Sequence, residues 1–375
     1  MKFIHTSDWH IGRQFHQMSL LEDQKYALKQ LVDIIKDQDV DALVIAGDIY
    51  DRSLPPANAV ELLDDTFNQI CFDLKVPIIL IPGNHDSSPR LSFGAKHMQS
   101  AGLHILGDLN KITEPVVIQG KNNELAFYGI PYCDPQTVKH TFDVNVSTFD
   151  EAHSYLVNKV DSVKSSQQIN ILISHCYIDG ATDSESERPL QIGGEDRVSF
   201  EPCLPFDYVA LGHLHSPQHK GAEHIRYSGS LMKYSFSERK QRKGVTLVGV
   251  NDQGDISHKH IELKPQRDLR VIEGNLKGII EAGISDPAAN DYLLVKLTDT
   301  HAILDPMGKL RHVYPNVLHL ERTGMTQNTE NTLKKEALKR GEYSMFQDFF
   351  SQITGEKMTK EQDQTITKLI NTLKQ

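Results

Sequence analysis

A chain of 375 residues is too long for one small domain, and 50 acidic against 40 basic residues, a net charge of −10, exclude a binder that grips nucleic acid by bulk charge alone. With 39% hydrophobic and 24% charged residues the composition is ordinary for a soluble globular protein and enough to build a sizeable core. No apolar run approaches a membrane span, and the polar residues from His5 onward exclude a signal peptide.

Residues 2–6 predict a short buried strand, followed at once by Thr6-Ser7-Asp8-Trp9-His10-Ile11-Gly12. Residues 20–37 predict an amphipathic helix with Ala27, Leu28, Leu31, Val32 and Ile35 on one stripe. Ala42-Leu43-Val44-Ile45 predicts a fully buried strand leading into Gly47-Asp48-Ile49-Tyr50-Asp51-Arg52. Pro55-Pro56 restart the chain as a second helix, with Val60, Leu63, Phe67 and Ile70 expected inward. Pro77-Ile78-Ile79-Leu80-Ile81 is another buried strand, ending in Gly83-Asn84-His85-Asp86. This strand-loop-helix rhythm predicts an α/β fold whose functional residues collect past the carboxyl ends of the strands.

A helix at about 92–101 comes next, then short strands over 103–130 and a helix near 148–165. Ile169 to Ile173 is a strand into Ser174-His175. Residues 177–202 form a long polar loop that contains Ser184, Ser186, Arg188, Gly193, Gly194 and Arg197. Tyr208-Val209-Ala210-Leu211 is a strand into Gly212-His213-Leu214-His215. Strands near 224–228, 244–250 and 256–263 close the first domain, 1–265. Residues 266–323 read as a small α+β unit of strand, helix, strand and strand. Residues 324–375 read as a polar linker and two short amphipathic helices separated by Gly355. Their stripes are Phe346, Phe349, Phe350 and Ile353, then Ile366, Leu369, Ile370 and Leu373.

Five predicted strands thus end in ligand-competent residues: D-x-H, G-D-x-x-D, G-N-H-D, H and G-H-x-H. One such pair means little, as His258-Lys259-His260 shows, lying in a strand away from any ligand-like loop. The ensemble points to one metal site. Asp8, Asp48 and Asn84 supply hard oxygen donors, and His10, His175, His213 and His215 supply nitrogen, a mix that suits Mn²⁺, Fe²⁺ or Zn²⁺ more than Ca²⁺. Seven donors exceed one tetrahedral site and suit two ions, with Asp48 as the candidate bridge. Carboxylates gathered there also add negative charge that bound cations neutralise. Cys71, Cys133, Cys176 and Cys203 form no C-x-x-C pair and read as the reduced thiols of a cytoplasmic protein. Cys176 follows His175 and reads as a small buried residue rather than a soft ligand.

The pattern resembles the calcineurin-like metallophosphoesterase family. Asp8 to Arg13, the Gly83-Asn84-His85-Asp86 loop, Tyr227-Ser228-Gly229-Ser230 and Lys243-Gly244 are similar to its double-strand-break-repair nucleases. The resemblance implies a β-sandwich flanked by helices, a capping domain at 266–323 and a C-terminal helical tail. It implies that Asp8, His10, Asp48 and His215 hold one Mn²⁺, and Asp48, Asn84, His175 and His213 the other. It implies His85 as the general acid, with Asp51 either orienting it or capping the next loop, and Arg52 either on phosphate or in solvent.

The implied activity is 3′→5′ exonuclease on duplex ends and endonuclease on hairpins and single strands, in DNA end processing, repair and recombination. The implied partner is a coiled-coil ATPase related to chromosome-maintenance proteins, docked by the tail. The chain has no G-x-x-x-x-G-K-[ST] of its own to bind ATP. The helices around 56–71 and 92–101 match a homodimer face in the family, or are plain core. Arg13, Arg188, Arg197 and Lys243 are candidate DNA contacts. A stand-alone phosphodiesterase on a small or protein phosphoester is the rival reading, and a DNA-end tether is a third. Trp9 and the two C-terminal extensions favour the nuclease, because a small-molecule hydrolase needs neither.

Overall fold

Apolar runs that are buried on both faces must feed two cores, and residue parity decides which one each side chain enters. Along Ala42–Ala46, Leu43 and Ile45 join Ile4, Ile78 and Leu80 beneath helices, whereas Ala42, Val44 and Ala46 join Phe3, Ile79 and Ile81 on the opposite face. The computed structural model describes residues 1–187, 196–326, 342–354 and 356–373. It divides the chain into two compact units, Met1–Gln266 and Arg267–Gln375.

The first unit holds two six-stranded sheets. Their strands, numbered along the chain, are β1 (Lys2–Thr6), β2 (Ala42–Ala46), β3 (Ile78–Ile81), β4 (Leu103–Ile105), β5 (Val116–Gln119) and β6 (Glu124–Ile130). They continue with β7 (Ile169–His175), β8 (Tyr208–Gly212), β9 (Gln218–Lys220), β10 (Ala222–Tyr227), β11 (Gly244–Val250) and β12 (Ile256–Glu262). One sheet runs β12-β11-β1-β2-β3-β4 and the other β9-β10-β8-β7-β6-β5. β1 to β4 are parallel, as are β6, β7, β8 and β10, so the loops that follow them open along one edge of each sheet.

Between the sheets, Phe3 meets Phe127 and Tyr208 edge-on at 5.4 and 5.6 Å, the T-shaped contact that aromatic quadrupoles favour. Outside the first sheet lie α1 (Leu21–Gln38) and α2 (Ala57–Asn68). Outside the second lie α3 (Pro135–Phe142) and α4 (Phe149–Asp161). The predicted β-sandwich flanked by helices is what forms.

In the first unit, the following details differ from the sequence reading. Val60 is 43% exposed, while Leu63, Phe67 and Ile70 turn inward. The helix expected at 92–101 is broken into Ser88–Leu91, Ala95–Met98 and the 3₁₀ turn Gln99–Ala101, interrupted at Gly94 with φ +76°. The helix α3 went unread, although Asp134 caps Thr137 N at 2.8 Å with Pro135 at the first turn.

The second unit contains β13 (Leu269–Gly274), α5 (Leu276–Gly283), β14 (Tyr292–Leu297), α6 (Pro306–Arg311) and β15 (Val317–Arg322). All three strands are parallel. Parallel neighbours need a crossover, and α6, also missed in the sequence, belongs to the one between β14 and β15. Asp305 caps it through Gly308 N at 3.0 Å. Leu293, Val295, Leu310, Tyr314 and Val317 fill the core of this unit. The expected linker begins as a helical turn, Thr323–Thr326, and its remainder up to 341 lies outside the described residues. α7 (Glu342–Thr354) and α8 (Lys360–Leu373) realise the expected tail helices; Gly355 between them lies outside the described residues. No helix among the described residues is long and apolar enough to cross a membrane.

Candidate metal centre

The ligand-competent residues all emerge from carboxyl ends of parallel strands, where side chains converge because the backbone leaves the sheet there. Asp8 and His10 follow β1, Asp48 follows β2, and Asn84 and His85 follow β3. His175 ends β7, and His213 and His215 follow β8. Tight turns are needed to aim them. Asp8, His10, Asp48 and His213 have positive φ (53°, 46°, 51° and 102°), a conformation that non-glycine residues hold only when their surroundings over-determine it. Here the surroundings are hydrogen bonds: Asp8 N to Gly47 O at 3.0 Å, His10 N to Asp48 O at 3.0 Å, and His213 N to the Asp8 carboxylate at 3.0 Å. Glycine is required at 83 and 212 because a Cβ would overlap Asp48 at the first and the Ala46 carbonyl at the second.

All seven donors lie together and, apart from half-buried Asn84, are buried. His10 Nε2 and His215 Nε2 stand 3.1 Å apart. Asp48 Oδ2 lies 3.7 Å from His10 Nε2, 3.5 Å from His175 Nε2 and 4.0 Å from His85 Nε2, between the two halves of the cluster. Asn84 Oδ1 faces His175 Nε2 at 2.9 Å and His213 Nδ1 at 3.2 Å. Ligand atoms of Asp8, His10 and His215 fall within 4.8 Å of one another, and so do those of Asp8, Asp48 and His175.

The far side of two rings fixes their tautomer. His175 Nδ1 donates to Ala46 O at 2.9 Å, and His215 Nδ1 faces Ser186 Oγ at 2.6 Å, so Nε2 is the atom that each ring turns into the cluster. Lone pairs and carboxylate oxygens aimed at one another from 3 to 4 Å are an arrangement that a cation satisfies and protein donors alone do not.

Electrostatics divide the imidazoles: burial lowers His175, but Asp48 and Asp8 outweigh it and raise it to about 9, so without a cation this ring carries a proton that a metal ion must displace. Burial pushes His213 down to about 3 and His10 well below the ordinary imidazole range, keeping both as neutral nitrogen donors. Burial raises the Asp8 carboxyl to about 6, against the pull of His175 and His215. Burial works the same way on Asp48, but His175, His10 and His85 outweigh it and hold this carboxyl well below its usual range.

His85 stands beside this cluster. Its backbone N–H donates to Asp48 Oδ1 at 2.8 Å, and its Nδ1 donates to the backbone carbonyl of Asp51 at 2.8 Å. Asp51 therefore touches His85 through its main chain. Its carboxylate is engaged elsewhere, accepting from Arg13 at 3.1 Å and lying 3.8 Å from His10 Nδ1. Arg52 is more than half exposed and 3.8 Å from Asp51. Asp86 ties the two loops together by accepting from Ile49 N, Tyr50 N and Gly83 N at 2.9–3.0 Å.

The candidate DNA contacts fare differently. Lys243 is buried and ion-paired with Glu238 at 2.6 Å, so it is not a surface contact. Arg13 is spent on Asp51, Ser186 O at 3.4 Å and the Tyr234 ring. Arg197 is exposed and paired with Asp179 at 3.3 Å. Arg188 lies outside the described residues, as do Gly193 and Gly194. Trp9 is fully buried, donating to Thr6 Oγ1 at 3.0 Å, so it shapes the loop from within. Cys176 is buried and accepts from Ser174, apart from the metal-competent groups. His258 is exposed and His260 half-buried, both outside those groups.

Several site residues gave no sequence signal. Gln24 on α1 donates to His10 O at 2.8 Å and accepts from Gly12 N at 3.0 Å, clamping the first ligand loop. Tyr234 donates to Trp9 O and lies edge-on to His10 and His215 at 5.4 and 5.6 Å. Glu238, fully buried on the turn Phe236–Lys240, reaches Ser186 and lies 3.5 Å from His215 Nδ1. Nothing in a polar S-E-R-K run announces such a placement.

The chain is similar along its whole length to known proteins. Residues 1–217 match the calcineurin-like phosphoesterase family, and residues 265–354 match the type 5 capsule protein repressor C-terminal domain. The chain is 36% identical over 372 residues to the D subunit of nuclease SbcCD from Staphylococcus epidermidis, covering 99% of this chain and 98% of that one. It is 38% identical over 378 residues to the protein of the same name from Staphylococcus saprophyticus, covering 100% and 98%. A dimetal phosphatase from Danio rerio aligns with 69% of this chain and 98% of its own at 11% identity and a TM-score of 0.42. With more than half its length matched by the family and its full length by these relatives, the chain belongs to the calcineurin-like phosphoesterases, in the branch that holds the D subunit of nuclease SbcCD.

Proposed function

We propose that this protein is the metal-dependent nuclease subunit of an SbcCD-type complex. It would act as a 3′→5′ exonuclease on duplex DNA ends and as an endonuclease on hairpins and single strands. The observation that carries the reading is the convergence of seven donors from five strand ends around Asp48 Oδ2. Asp8, His10, Asp48 and His215 would hold one divalent ion, and Asp48, Asn84, His175 and His213 the other, with Mn²⁺ as the metal. Such a pair supplies positive charge that polarises a phosphoryl oxygen and lowers the pKa of water for attack at phosphorus.

The chain's own residues do the rest. His85 keeps one proton on the Asp51 carbonyl through Nδ1, which leaves Nε2 as the atom that hands a proton to the leaving oxygen. His175 and His215 are held by Ala46 and Ser186 in the tautomer that presents Nε2. Asp86 fixes the spacing between the Asp48 and His85 loops.

The attachments take roles in the same reading. The 266–323 unit would serve as the capping domain, and the tail would dock on an SbcC-type ATPase. A cleft of about 430 Å³ beside α2, lined by Val60, Leu63, Phe67, Phe93 and Met98, fits a homodimer face. The protein would work in the cytoplasm, on the nucleoid when bound to DNA.

The test is Mn²⁺-dependent degradation of end-labelled duplex DNA beside a small chromogenic phosphodiester, with and without the co-expressed ATPase. His85→Ala is expected to lower duplex cleavage by about 10²–10⁴, the usual worth of a positioned general acid. Partner plus ATP should raise the wild-type rate. Strong turnover of the small ester with duplex untouched, even with the partner present, would establish a stand-alone phosphodiesterase instead.

A further inference from the structure

His215 is gripped at every hydrogen-bonding atom except the one that faces the metal cluster. Its backbone N–H donates to Glu187 Oε1 at 2.7 Å. Its carbonyl accepts from Lys243 Nζ at 2.7 Å. Its Nδ1 meets Ser186 Oγ at 2.6 Å. Only Nε2 is left, opposite His10 Nε2. Behind Ser186 stands Glu238, which accepts from the serine hydroxyl and pairs with Lys243 at 2.6 Å. Ser186, Glu238 and Lys243 are all more than nine-tenths buried.

A buried carboxylate–ammonium pair is costly to desolvate, and packing alone does not call for one at this place. Its position does. The charge of Glu238 sits one hydroxyl away from the ring nitrogen that must keep its proton if Nε2 is to offer a lone pair. The remaining ligands lack this arrangement. His175 uses a backbone carbonyl for the same purpose, and His10 Nδ1 has only the Asp51 carboxylate at 3.8 Å.

We infer that Ser186 and Glu238 are positioning residues for one of the two metal ions, acting on it through His215. Glu238 polarises the Ser186 hydroxyl, Ser186 holds the Nδ1 proton of His215, and Lys243 balances the buried charge while fixing the His215 main chain. This gives part of the long loop after β7 a function. Ser186 and Glu187 lie on that loop, so the segment that follows ligand His175 in sequence reaches across to index ligand His215.

The inference rests on the two-metal reading, so the test separates the two. Mn²⁺ binding to the full chain, stripped of metal, is measured by titration calorimetry and by the EPR signal of free Mn²⁺. Co²⁺ absorption serves as a second probe, and thermal melting of the metal-free protein as the control. The proteins are wild type, Ser186→Ala, Ser186→Thr and Glu238→Gln.

Ser186→Ala removes one exchangeable hydroxyl and keeps the fold's charges. It is expected to weaken one Mn²⁺ by about 10–100-fold, the usual loss for an outer-shell partner, and to leave the other ion unchanged. Its metal-free melting temperature should match wild type, its Co²⁺ spectrum should change for one ion only, and Ser186→Thr should restore affinity. Glu238→Gln should show the same selective loss. Equal affinity of wild type and Ser186→Ala for both ions, with any change confined to melting of the metal-free protein, overturns the inference and leaves the metal reading intact. A wild-type protein that takes up no pair of ions overturns both.

Discussion

At the scale of single residues, the site turns on which atom of a residue is used, and Asp51 is the clearest case. The second aspartate of G-D-x-x-D stands beside His85, but its carbonyl holds the imidazole, while its carboxylate holds Arg13. Asp51→Asn keeps the carbonyl and an oxygen toward Arg13. Its loss is therefore limited to a charge-assisted bond of about 1.5 kcal/mol, roughly tenfold in rate. Duplex cleavage by Asp51→Asn should fall by no more than that, with the pH–rate profile unshifted. A fall as deep as that of His85→Ala would instead make the carboxylate the orienting group. The seven donors were legible because each follows an apolar run that ends at a sheet edge, so sequence position and spatial position coincide. Ser186, Tyr234, Gln24 and Glu238 were illegible for the opposite reason. Each sits in an unremarkable local pattern and reaches the site only through contacts 14 to 225 residues away in sequence. Lys243 misled because a lysine in a polar stretch reads as solvated, and only the buried Glu238 makes its interior position tenable.

At the scale of elements, the two sheets are joined by packing and by buried polar ties, that of His175 to Ala46 O and those of His5. From β1 its Nε2 donates to Leu211 O at 3.1 Å and its Nδ1 accepts from the Tyr208 hydroxyl at 3.0 Å, both on β8. Burial pushes this imidazole down from 6.5 to about 3, so it is neutral in the fold. The unfolded chain takes up a proton on His5 below about pH 6.5 and the folded chain does not until about 3. His5 therefore contributes stability that is complete above pH 6.5 and is lost as pH falls toward 3. His5→Leu should cost about 2–4 kcal/mol at pH 7.5, because Tyr208 and Leu211 O lose their partners. That penalty should shrink by up to about 1.4 kcal/mol per pH unit below 6.5. Urea melts of both proteins between pH 7.5 and 5 read the difference, and a pH-independent gap would mean that His5 is not held neutral. The strands themselves were legible, because apolar runs buried on both faces leave little choice. The helices α3 and α6 were not, since eight and six residues give too few turns for a periodic stripe. The Asp-Pro pair at the start of each was the signal that stood in the sequence.

At the scale of the whole molecule, a net charge of −10 does not oppose work on DNA, because Asp8, Asp48, Asp51 and Glu238 are spent on the site and its supports. What the bulk numbers could not convey is where apolar surface is left uncovered. Phe93 is 80% exposed and Leu54 64%, at the α2 cleft and beside it. Phe93→Glu should convert a dimer to a monomer in sedimentation, with hydrolysis of the small phosphodiester retained, since Phe93 supports no ligand. The tail offers a second such surface. α7 and α8 pair through Tyr343 and Asp363, and Phe346, Phe350, Met358 and Ile366 line a cleft of about 270 Å³ between them. Phe349 and Leu369 remain more than half exposed. Aromatic side chains left outside a helical hairpin are the anchors that a helical partner buries, and such anchors carry most of the energy of an interface. Phe349→Glu should therefore weaken capture of the co-expressed ATPase by at least about tenfold. Without the partner, its Mn²⁺-dependent turnover of the small ester should match wild type, because the proposed metal ligands and His85 all lie before Gln266. The two variants separate the surfaces: Phe93→Glu should keep the partner and lose the dimer, and Phe349→Glu should do the reverse. If Phe349→Glu instead lowers turnover of the small ester while the partner still binds, the tail acts on its own chain and the partner docks elsewhere.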